Sequence, residues 1–166
     1  MGCLGVHFAL TPDEATKLRS LGEDARLDHV REVIEEEYFT DNPSLLAESD
    51  KAWDALHRVL SDGELTWDGG AYPLNHAVLA GELLYTQPDY IMSLKTPTQV
   101  AEIAAAMSAM PEVVFRQRYF GIDPASYDQP LSEEDFGYTW EAFELVRDLY
   151  VRAAAVGRYV LFTADQ

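Results

Sequence analysis

An α+β fold, with a small, mostly antiparallel sheet covered by about five to six helices, is what this sequence predicts. Three observations carry that expectation. Strand-like apolar runs stand at the N-terminus, in the middle and at the C-terminus. The segments between them show helical spacing and capping signals. No G-x-G-x-x-G or G-x-x-x-x-G-K-[ST] stretch occurs, which argues against the regularly alternating nucleotide-binding folds.

Residues 2–10 read as a first, mostly apolar strand. Thr11, Pro12 and Glu14 then form a helix start: a hydroxyl cap, a proline at the first helical position and the acid of a capping box. Leu21-Gly22 ends that helix. A second helix over 23–39 places Leu27, Val30, Ile34 and Tyr38 on one stripe. The run Glu35-Glu36-Glu37 falls late in it, where the macrodipole disfavours negative charge. That local cost has no evident structural return, so the run is a hint of function. Asp41-Asn42-Pro43 breaks the chain, and a third helix over 50–61 follows with Trp53, Leu56, Val59 and Leu60 inward.

Asp62-Gly63 ends this helix, and Asp68-Gly69-Gly70 marks a turn. Residues 72–84 stay open, with a short helical turn one reading of Asn75 to Leu79. Ile91 to Lys95 reads as a strand. Thr96-Pro97 then caps a helix whose Val100, Ile103, Ala104 and Met107 face the core. A short helix over 111–120 stops at Gly121, and GIDPASYDQP is a turn-rich loop. Ser132 and its following acids open the longest helix, with Phe136, Trp140, Phe143, Val146 and Tyr150 at helical spacing. Gly157 stops it, and Arg158 to Thr163 forms the last strand.

The chain has 166 residues, 48% hydrophobic and 11% aromatic, which fits one domain over 1–166 with a real core. Its one cysteine, Cys3, excludes an intrachain disulfide and a cysteine-based zinc site, and suits a reducing, cytoplasmic compartment. Met1-Gly2-Cys3 looks like a lipidation signal, but Val6 stands where the myristoylation pattern needs Ser or Thr, and no basic, apolar signal peptide precedes Cys3. Cys3 is therefore read as a small residue of the first strand. Charges interrupt every apolar run, so no membrane span is expected.

The formal net charge is −17. Residues 23–50 carry ten acids against Arg26 and Arg31, and residues 128–148 carry seven against Arg147, so these two segments supply −14 of it. Nucleic acid and anionic membranes are repelled by such a field, whereas a basic protein partner is compatible with it. Simple solubility is the bland account of the same charge.

The opening MGCLGVHFALTP, the helix DKAWDALHRVL, the stretch YPLNHAVLAGE and the ending GRYVLFTADQ resemble the YfbM-like family, a bacterial family of domains of unknown function. The resemblance covers nearly the whole chain. It implies a stand-alone α+β domain and supplies no activity, substrate or catalytic residue.

Candidate chemistry centres on the helix at 50–61. Asp50, Trp53, Asp54 and His57 have spacings that put them along one side, and a carboxylate near an imidazole can orient it. His76 and Glu82 join them if the following loop folds back. Two histidines with carboxylates suffice for acid–base work, yet there is no H-x-x-x-H or HEXXH spacing, so no metal or other cofactor is expected. The structural alternative makes Trp53 core and His57 a core-edge histidine bonded to backbone or to Asp54. No G-x-S-x-G elbow marks a nucleophile. Two functions follow. The first is a non-catalytic, acidic interaction protein for a basic partner, of inhibitor or immunity type. The alternative is an enzyme around Asp54, His57 and His76. Oligomeric state stays open.

Overall fold

The computed structural model describes residues 3–166; Met1 and Gly2, which bear on the lipidation pattern and the start of the first strand, lie outside the described residues. Five strands form one antiparallel sheet: β1 (Gly5–Leu10), β2 (Leu46–Asp50), β3 (Glu82–Leu83), β4 (Tyr90–Lys95) and β5 (Tyr159–Asp165), in the order β2-β1-β5-β4-β3. The two terminal strands pair at its centre, His7 opposite Phe162 and Phe8 opposite Leu161. The three strands read from the sequence are therefore β1, β5 and β4.

Strand alternation sends β1 side chains to opposite faces. Val6, Phe8 and Leu10, with Met92, Leu94 and Leu161, meet α1 (Pro12–Ser20) and the α2 (Glu23–His29) and α3 (Glu35–Asp41) helix through Leu18, Leu27, Ile34 and Tyr38. On the other face Ala9, Val160 and Phe162 belong to a larger core. That core is completed by α4 (Trp53–Leu60), α5 (Pro97–Ser108), α6 (Glu112–Phe120) and α7 (Glu133–Ala155). The sheet is thus sandwiched, and the two acidic segments' helices cover opposite faces rather than lying side by side.

Local chemistry explains the helix starts. Thr11 accepts from the Glu14 amide while the Glu14 carboxylate takes the Thr11 amide, and Thr96 with Gln99 repeats the device. Ser132 caps α7, whose Phe136, Phe143, Val146 and Tyr150 are buried. Gly157, with φ 67°, provides the left-handed turn into β5.

Two features depart from expectation. The 23–39 helix contains a π turn at Val30–Ile34, where the Glu35 amide bonds to the Val30 carbonyl. Buried Val30, Ile34 and Tyr38 recur every fourth residue, which overshoots an α-helical turn by about 40° each time. The wider π turn absorbs the drift and keeps all three on the core. Second, residues 46–50 form strand β2, and α4 begins at Trp53 rather than at Asp50. Asp50 instead ends β2 with φ 46°. The strand escapes a sequence reading because it is short and half polar, with only Ala47 and Ser49 buried.

Candidate functional site

Trp53 is fixed where β1 and α4 meet. Its indole N–H donates to the Cys3 carbonyl at 2.9 Å, and its ring lies 5.7 Å from that of Phe162. Gly5 makes this possible: a Cβ there would stand 2.7 Å from both the Trp53 ring and the Ser49 hydroxyl. One turn on, the Asp54 Oδ1 accepts from the Arg58 Nε at 2.6 Å. Buried Arg58 also donates to the carbonyl and hydroxyl of Ser126 at 2.9 and 3.0 Å, and lies over the Tyr127 ring. It thereby ties the 121–130 loop to α4.

From the other side, Asp135 in the first turn of α7 accepts two phenol hydroxyls at one oxygen, Oδ2: Tyr119 at 2.5 Å and Tyr127 at 2.8 Å. Burial and this carboxylate push both phenols well above their ordinary range. Tyr138 closes the edge, its hydroxyl accepting the Lys51 amide at 3.2 Å; burial first, and Asp50 second, push that hydroxyl up to about 12. Between these elements lies an open cleft of about 440 Å³. Trp53, Tyr127 and Tyr138 wall it, Asp54, Asp128 and Asp135 contribute carboxylates, and Lys51 is the cation on its lining. Among the described residues, the second oxygen of Asp54 and of Asp135 has no protein donor. The cleft thus holds carboxylates in fixed orientation with acceptor capacity to spare.

The predicted constellation divides. Trp53 and Asp54 line this cleft, whereas Asp50 ends β2 outside its lining. His57 faces inward, fully buried, with Nε2–H donating to the Thr66 carbonyl at 2.6 Å, while Asp54 serves Arg58 instead. His76 donates from Nδ1 to the Asn75 side chain at 2.7 Å and meets the Tyr72 ring edge-on. Burial lowers the proton affinity of both imidazoles, and the Lys95 ammonium adds to it. Glu82 lies in β3, in register with Leu94 of the opposite core, and pairs with Arg19 of α1 at 2.7 Å.

Residues 1–163 match the family described as a domain of unknown function, DUF1877. The chain belongs to that family. Among solved structures, the DUF1877 chain is similar to YfbM from Escherichia coli, a protein of unknown function, with 18% identity over 97% of this chain and 99% of that one and a TM-score of 0.65. That likeness shows the fold, an α+β domain. Among curated proteins none matches.

The DUF1877 chain also carries a buried polar row that sequence reading passed over. Segment 74–80, a 3-10 turn at Leu74–His76 followed by further turn backbone, is mostly buried, and its carbonyls need donors. His7 and Tyr150 both donate to Ala77 at 2.8 Å, Ser93 to Ala80, and Lys95 to Val78 at 2.5 Å. Among the described residues Lys95 bonds to Val78 and Ser93 and to no carboxylate; desolvation drives its proton affinity well down. The available signal was a histidine in β1 and a lysine in β4 at positions that alternation assigns to the core. Among the described residues, no group of three or more His, Cys, Asp or Glu could hold a metal ion, and no helix is long and apolar enough to cross a membrane.

Proposed function

We propose that the protein is a non-catalytic binding domain whose acidic cleft takes a lysine or arginine side chain of a basic partner protein. The observation that supports this reading is the cleft between α4 and α7, where Asp54 and Asp135 are already oriented by Arg58 and by two tyrosines. Aromatic walls of Trp53, Tyr127 and Tyr138 suit the apolar stem and the cation of such a side chain. The net charge of −17 steers a basic partner towards the molecule at long range. Masking a cationic toxin or a nucleic-acid-binding enzyme, as an inhibitor or immunity protein does, is the form of this role that the charge favours. The enzymatic alternative has less support, because His57 is buried with Nε2 committed to Thr66.

The test is a titration of the protein with a lysine-rich peptide and with its fully acetylated counterpart at low and moderate salt. The basic peptide is expected to bind, and to lose about tenfold or more in affinity between low and moderate salt. Asp54→Asn with Asp128→Asn is expected to abolish the preference for the unacetylated form. Equal binding of both peptides, or binding insensitive to salt and to these substitutions, refutes the reading.

A further inference from the structure

The π turn has a second consequence on the opposite face of the sheet. Between that helix and strands β1, β2, β4 and β5 opens a cleft of about 340 Å³. Leu4, Val6 and Phe39 form its apolar part. Its polar part is an organised network. The Tyr90 hydroxyl donates to Glu35 Oε1 at 3.2 Å, and the Arg31 guanidinium lies 5.0 Å from the Tyr90 ring centre. Arg31 also reaches Asp165 at 3.4 Å. Glu48 of β2 and Thr163 of β5 complete the lining.

Glu35 is the residue whose place in the sequence had no structural return. The π turn ends on its amide, and its carboxyl lines the cleft half-buried while Glu36 and Glu37 are exposed. The titratable groups facing the space are Arg31 and Glu35 from the helix, Glu48 from β2, Tyr90 from β4 and Asp165 from β5. Three carboxyls thus face one guanidinium, which pairs with one of them, Asp165; two remain, so an anion is disfavoured and a cation favoured.

We propose that this cleft binds a small amphipathic primary amine, its ammonium held by Glu35 and Glu48 and its apolar body by Leu4, Val6 and Phe39. Burial raises the proton affinity of the Glu35 carboxyl. The ammonium pairs with the ionised carboxylate, so binding weakens as pH falls through the titration of this group. The site is separate from the acidic cleft between α4 and α7, and does not depend on that cleft having a partner.

The experiment uses the intact protein with phenethylamine as probe and 2-phenylethanol as its neutral counterpart, followed by calorimetry and by backbone amide NMR. Saturable binding of the amine near neutral pH is expected, with shifts centred on residues 31–39 and on β2. The alcohol, acidic pH and Glu35→Gln are each expected to weaken binding about tenfold or more. Gln retains an acceptor for Tyr90, and Phe39→Ala, at an exposed position, provides an independent variant expected to weaken binding as well. Glu112→Gln, at an exposed position of α6 that lines neither cleft, is expected to change nothing. No saturable binding at millimolar amine, shifts that do not centre on residues 31–39 and β2, equal binding of the alcohol, unchanged binding in Glu35→Gln, or loss in Glu112→Gln overturns the proposal.

Discussion

Among the buried groups through which lowering the pH removes stability from this protein, His7 has the most fully defined contribution. The imidazole is fully buried and donates from Nε2 to the Ala77 carbonyl, leaving Nδ1 without a partner. A proton on Nδ1 would be a buried donor with no acceptor, beside Lys95. Burial first, and Lys95 second, lower the His7 pKa from 6.5 to about 3. The unfolded chain takes up this proton near pH 6.5 and the folded chain does not, so the contribution is complete above that value and is lost as pH falls towards about 3. The slope is about 1.4 kcal/mol per pH unit and the whole effect about 5 kcal/mol, comparable to the total stability of many domains. Urea unfolding at several pH values between neutral and acid measures it. His7→Phe keeps an aromatic ring and leaves Ala77 its bond from Tyr150, so it costs about 1 kcal/mol at neutral pH. Its stability profile is expected to be shallower than wild type by the full His7 slope, whatever the other buried groups contribute. Parallel profiles for the two proteins refute a neutral His7 in the folded state.

Three further outcomes follow from the same packing. Arg58→Met leaves Asp54 and the Ser126 carbonyl without their donor, and is expected to cost about 2–4 kcal/mol in urea unfolding and to loosen the 121–130 loop to proteolysis. Gly5→Ala forces a Cβ against the Trp53 ring, so a loss of about 1–3 kcal/mol with a shifted Trp53 fluorescence spectrum is expected. Thr96→Ala removes one half of a capping box and is expected to lower stability by about 1 kcal/mol, measured by thermal melting.

What could be read in the sequence was what is decided over short distances. Thr11 with Glu14, and Thr96 with Gln99, announce their helices because both partners of each bond lie within one turn. Val100 to Met107 and Phe136 to Tyr150 announce their buried faces by spacing alone. Strand β2 was hidden because an edge strand needs apolar residues on only one side, and this one supplies Ala and Ser. The candidate site was read in part for the same reason. Trp53 and Asp54 sit together by helical spacing, whereas Asp128 and Asp135 reach them across a fold that only tertiary packing defines. His57 has the right spacing to Asp54, but Arg58 competes for that carboxylate from the adjacent position and wins with a buried guanidinium. Lys95 gives no local sign that segment 74–80 will lie over it.

The two outer strands set how this sheet meets other molecules. β3 is two residues long, and β2 carries exposed Glu48 and Asp50 before turning away through a left-handed residue. Neither offers a long, uncharged row of free backbone groups against which another strand could align. Strand addition, from a second copy or from an extended peptide, is therefore disfavoured at both edges, as is the fibrous assembly that such pairing leads to. For the binding role proposed above, this leaves side chains in clefts to choose a partner, so that a single charge change would alter that choice while the backbone stays as it is.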